Sequence, residues 1–224
     1  MERLTHLDWT TFFETMPADK IDLSIGLEAD RMVNSTFDPE EVDSERTVII
    51  SEREGNENDP LFKLEEAMQL AAFRSHPYRN EVLGSIEDLR AITRDDLYQH
   101  YRSYYNPANT VVAVTGDFHT DEMLKKIRDH YEAIPAAPIP ALPDLKEPPL
   151  NEEQRIEVRG PGETTYLEMT WRAPSAPEVD FFTITVLDSL LTGPSSLNMF
   201  GGGGISNKTS RLYRALVEKE LAVS

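Results

Sequence analysis

Six of the chain's fifteen prolines fall between Pro135 and Pro149, and this run constrains the architecture more than any other feature. Each proline removes a backbone donor and fixes φ, so neither a helix interior nor a central strand can pass through. The stretch reads as an extended, fairly stiff linker. It divides the chain into residues 1–134, a connector over 135–150, and residues 151–224. The last part is small for an independent core and reads as the start of a second homologous repeat, begun but incomplete.

Before the linker, hydropathy alternates between two periods. Asp8 to Met16 holds Trp9, Thr10, Thr11, Phe12 and Phe13, a β-branched and aromatic run that predicts a strand ended by Pro17. Ile21, Ile25 and Met32 form a helical stripe over 18–34, with Leu23 and Leu27 beside it. Pro39 suits a first helical turn and Glu40, Glu41 and Asp43 suit the positive end of a dipole, predicting a helix to Arg53 or Glu54. Asp59-Pro60 opens another, ending before the loop Ser75-His76-Pro77-Tyr78. Ser85 and Thr93, each followed three residues later by an aspartate, read as helix caps. Tyr98, Tyr101, Tyr104 and Tyr105 read as the packed face of the second of these helices. A buried strand is expected over 109–116 and a helix from Thr120 to about Ala133. Beyond the linker we expect strands over 154–159 and 164–172, carrying Trp171, and an apolar helix over 177–191. A glycine loop at Gly201–Gly204 and an amphipathic helix over 208–221 follow. The fold class is α+β: a mixed sheet with helices packed on one face.

Composition narrows the function. With no cysteine, thiolate metal sites, thiol nucleophiles and disulfide scaffolds are excluded. A formal charge of −18 repels phosphates and anionic lipid, so neither nucleic acid nor membrane is an expected partner. No apolar run is long enough to span a bilayer; the chain reads as soluble, with the cytoplasm the favoured compartment. The glycine loop leads into Asn207-Lys208-Thr209, but Asn207 stands where a phosphate loop needs glycine. His76 reads as a loop residue making a structural hydrogen bond rather than as a ligand.

Glu45 and Glu52 are the candidate chemical residues. Seven positions apart, they share one face of a helix, with Ile49 between them and Val42 just before. Carboxylates on an apolar stripe are costly unless compensated, and a metal would compensate them. Two turns is ~10 Å of rise whereas a zinc–oxygen bond is ~2 Å, so both cannot bind one ion. One would be a ligand and the other an outer orienting group; the spacing does not say which.

The order of motifs supplies a resemblance. Asp8-Trp9 through Met16-Pro17, Leu27-Glu28-Ala29-Asp30-Arg31-Met32, Glu45-Arg46-x-Val48 leading to Glu52, and His76-Pro77-Tyr78 follow one another along the chain. Gly84, Thr93-x-x-Asp96-Leu97, Tyr105-x-Pro107-x-Asn109, Gly116-Asp117 and Ser210-Arg211-Leu212-Tyr213 with Leu216-Val217 continue the series. Together they resemble the pitrilysin/insulinase family of zinc metallopeptidases. The resemblance implies a half-unit of that fold, with Glu52 matching the third zinc ligand and Glu45 the outer-shell acid on the same helix. It also implies zinc as cofactor of the complete protein, peptide substrates, and a homologous half or subunit as partner.

The family's His-x-x-Glu-His helix is not found. None of His6, His76, His100, His119 and His130 opens that motif, and Met123 stands where His119 would need its partner histidine. Family spacing places the motif before Met1. Glu2-Arg3 also replace the Asn-Ala of the family's substrate-pairing edge strand, while Thr5 remains. No residue of this chain is expected to be catalytic, and the chain alone is expected to bind no zinc. The first reading is a fragment of a zinc endopeptidase, inactive as it stands. The alternative is a non-catalytic structural subunit acting with an active homologue; a third is an interaction module whose acidic helix binds a basic partner.

Overall fold

The computed structural model describes residues 2–141, 145–193 and 207–223. The Gly201–Gly204 loop lies outside the described residues. The chain forms two units, Met1–Glu168 and Met169–Ser224.

The first unit opens with a hairpin of β1 (Glu2–Thr5) and β2 (Thr10–Phe13), antiparallel with Arg3 opposite Phe12 and Leu4 opposite Thr11. A 3₁₀ turn, Ala18–Lys20, leads into α1 (Ile21–Asn34). Then come α2 (Pro39–Asn56), α3 (Phe62–Ala72), α4 (Ile86–Ala91), α5 (Arg94–Tyr104) and α6 (Thr120–Tyr131).

Local chemistry sets these boundaries. Asp38 caps α2 by accepting from the Glu40 amide at 2.9 Å, with Pro39 in the first turn. Ser85 caps α4, and Thr93 with Asp96 closes a reciprocal capping box on α5. Asp96 sits below the usual carboxylate range because the Thr93 hydroxyl and amide both donate to it. Thr120 is the first helical residue of α6 rather than its cap, which falls on His119.

Among the described residues, Ile25, Ala29, Tyr101 and Met123 are the buried apolar ones. Tyr101 donates to the Arg31 carbonyl at 2.8 Å, and its ring packs against Phe37 and Tyr105. α6 packs on α1 with the His130 ring beside Gly26, where a Cβ would make only an ordinary contact at 3.5 Å.

Three expected strands are not formed. Asn109 ends a 3₁₀ turn and residues 110–116, 154–159 and 164–172 lie outside regular secondary structure, so the only sheet among the described residues is two-stranded and antiparallel. A mixed sheet is not seen there. Val111 is 93% exposed and Trp171 76%, so neither packs as a buried strand residue. β-branched composition fits a pleated, half-buried surface, and no partner strand provides one here. Trp9 lies just before β2, its ring tilted against that of His6 with centroids 4.7 Å apart.

In the second unit, α7 (Val179–Thr192) ends at Gly193, whose φ is 90°. A Cβ there would collide with the Asn207 side chain. The helix expected over 208–221 is mostly a π-type turn at Tyr213–Val217.

Candidate metal centre

Arg53 comes first in any account of the α2 surface, because it is buried and charged. Its guanidinium donates to Glu66 at 2.6 Å and to the Gly84 carbonyl at 2.8 Å. Glu57 and Glu81 lie at 3.5 and 3.6 Å, and the Phe62 ring lies beneath at 5.3 Å. This clasp ties the end of α2 to α3 and to the loop before α4. Two turns before it, Arg46 donates to the carbonyls of Leu89 and Ile92 at the end of α4. The two arginines fix the rotation of α2 about its axis. The clasp was not anticipated from the sequence; the signal was Arg53 continuing the apolar row of Ile49 and Ile50.

That rotation decides where the carboxylates point. Glu45 and Glu52 are both on the exposed side, with Val42 and Ile49 half-buried along the same row. The Glu45 carboxylate accepts from Arg3 of β1 at 2.6 Å. For Glu52 the structure records no ion pair or hydrogen bond among the described residues. The two acids therefore differ in their contacts: Glu45 is held by Arg3 of the hairpin, and Glu52 is exposed.

The histidines do not join them. His6 stacks on Trp9. His76 accepts from the Tyr78 amide at 3.2 Å, the structural loop bond expected of it. His100 stacks on Tyr104 at 4.6 Å. Among the described residues no three His, Cys, Asp or Glu side chains gather as a metal site. One exposed carboxylate is no fit for zinc, which needs three or four N, O or S donors.

An open groove of about 920 Å³ lies between β2, α1 and residues 109–115. Phe12, Glu14, Arg31, Tyr105, Val112 and Val114 are among its walls; Glu45 and Glu52 are not. Arg31 lies over the Phe12 ring at 3.9 Å and pairs with Glu28. Tyr131, at one wall, has its phenol held protonated to higher pH by burial and by the nearby Glu28 carboxylate.

Comparison with known proteins supplies the context that the side chains leave open. The chain is 29% identical over 131 residues to an uncharacterized zinc protease of Mycobacterium leprae (strain TN), covering 58% of this chain and 29% of that protein. It is 25% identical over 224 residues to the zinc protease PqqE of Helicobacter pylori (strain ATCC 700392 / 26695), covering 98% of this chain and 48% of that one. The crystal structure of a protease from Helicobacter pylori has the same fold, with TM-score 0.69 and 21% identity over 92% of this chain and 48% of that one. The chain thus spans half or less of the length of each. No described helix is long and apolar enough to cross a membrane. Residues 91–224 match the family model described as the peptidase M16 inactive domain, more than half of the chain, and with the zinc protease relatives this places the chain in the M16 peptidases, the pitrilysin/insulinase family.

Proposed function

We propose that this chain is part of a zinc-dependent endopeptidase that hydrolyses short or unfolded polypeptides, and that it is inactive by itself. Glu52 is the oxygen ligand it contributes, and Glu45 orients the site from outside the coordination sphere. The observation that carries this reading is the contrast on α2: Glu45 is engaged by Arg3 while Glu52, two turns on, is exposed and free of an ion pair among the described residues. The zinc protease relatives, about twice as long or more, support nitrogen ligands supplied by polypeptide outside this sequence. On the same reading the complete half-unit has a mixed sheet, residues 1–134 and 151–224 are homologous repeats, and 135–150 joins them.

The test begins with the coding sequence upstream of Met1. If it continues into His-x-x-Glu-His, the protein carrying that helix should hold about one zinc per chain and cleave unstructured peptides, and a chelator should abolish turnover. Zinc content unchanged by Glu52→Gln would refute the ligand assignment.

A second reading, a non-catalytic subunit partnered by an active homologue, is favoured by the inactive-domain match over residues 91–224. It predicts no zinc and tight association with a homologous chain.

A further inference from the structure

The turn between α3 and the 3₁₀ helix Pro77–Arg79 presents three successive backbone amides to one carboxylate. Oε1 of Glu147 accepts from the Arg74 amide at 2.6 Å. Oε2 accepts from Ser75 at 2.7 Å and from His76 at 2.6 Å. Consecutive amides converging on one anion make a concave receptor for negative charge, and hydrogen bonds to an ionised acceptor are the strong kind.

The receptor is held in shape from within. The Phe73 and Tyr78 rings meet edge to face at 5.6 Å, and His76 lies against Tyr78 at 4.3 Å. Arg79 donates back to the Arg74 carbonyl at 2.8 Å. The Tyr78 hydroxyl donates to Asp8, beside the hairpin, at 2.6 Å. The occupant comes from more than 70 residues away, in the proline-rich connector.

We infer that the Arg74–His76 turn is a carboxylate-binding site whose resident ligand is Glu147, and that this clamp straps the proline-rich connector, within the first unit, to the end of α3. The chain beyond is then tethered from Glu147, not from Pro135, which shortens the free connector. The clamp is independent of zinc and of the peptidase reading.

Hydrogen exchange of the Arg74, Ser75 and His76 amides in the full chain, with limited proteolysis over residues 135–149, tests it. Glu147→Ala should speed exchange at those amides by about tenfold, equivalent to ~1.4 kcal/mol, and expose the connector to cleavage to a similar degree. Glu147→Gln keeps the volume but has one acceptor oxygen, enough for two of the three amides, and should fall between the two. Exchange in α5 serves as the folding control and should not move. Equal exchange at the three amides in wild type and Glu147→Gln, with α5 intact, would overturn the inference. So would a connector cleaved no faster in either variant.

Discussion

Arg3 Nη2 sits 2.6 Å from Glu45 Oε1, joining the first strand of the hairpin to the acidic face of α2. Both side chains are half exposed or more, so the pair adds little stability. It instead fixes which of two similar carboxylates is engaged and which is open. Arg3→Ala should change unfolding free energy by less than ~1 kcal/mol, with any effect fading in high salt. A larger loss in urea denaturation would mean the hairpin depends on this contact.

On the proposed reading, a longer protein carrying the His-x-x-Glu-His helix should show the two glutamates separating sharply. Glu52→Gln should remove the metal. Glu45→Gln should weaken binding by about 10- to 100-fold, the usual cost of losing an outer-shell partner. Zinc titration against a competing chelator reads both, and equal effects would show that the roles assigned on α2 are wrong.

Arg53 should be the most costly single charge to remove. Its side chain is 6% exposed and faces three carboxylates that are themselves 21–35% exposed. Arg53→Met should destabilise by about 2–4 kcal/mol, less than for a wholly buried pair because water reaches the partners. Arg53→Lys should recover under half of that, since an ammonium cannot span Glu66 and the Gly84 carbonyl as a fork does. Urea midpoints of the two variants decide it.

Alkaline pH should loosen the first unit. The hydrogen bond from Tyr78 to Asp8, then burial, raises the Tyr78 phenol above its ordinary value. Burial, then Glu28, does the same for Tyr131. A group whose folded pKa lies above its unfolded one stabilises fully below the unfolded value, about 10 for tyrosine, and that stabilisation is lost as pH rises through the folded value. Denaturation midpoints should therefore be flat from pH 8 to about 9.5 and fall beyond. Tyr78→Phe and Tyr131→Phe should each reduce the slope.

Helices were legible in the sequence because their information is local. Pro39, Ser85 and Thr93 with Asp96 marked starts that the structure keeps to within a residue. The tyrosine row on α5 packs as its spacing predicts, with Tyr101 at the centre. Strands were not legible in the same way, since a strand exists only with a partner. Residues 110–115 have the composition of one without the pairing. The site was legible as far as Glu45 and Glu52, whose shared face follows from helix geometry. Arg3 with Glu45, Glu147 in the 74–76 turn, and Arg53 with Glu66 join residues 13 to 73 positions apart, beyond what spacing can reveal.

Among the described residues β2 pairs only with β1, so its other edge stays open, and residues 110–115, outside any strand, line the same groove. Such edges recruit the nearest extended polypeptide, and in a solution of this chain alone that is another copy of itself. Purified at rising concentration, the chain should self-associate, and light scattering should record the growth. A proline or lysine at Val111, 93% exposed, should suppress it without disturbing the helices.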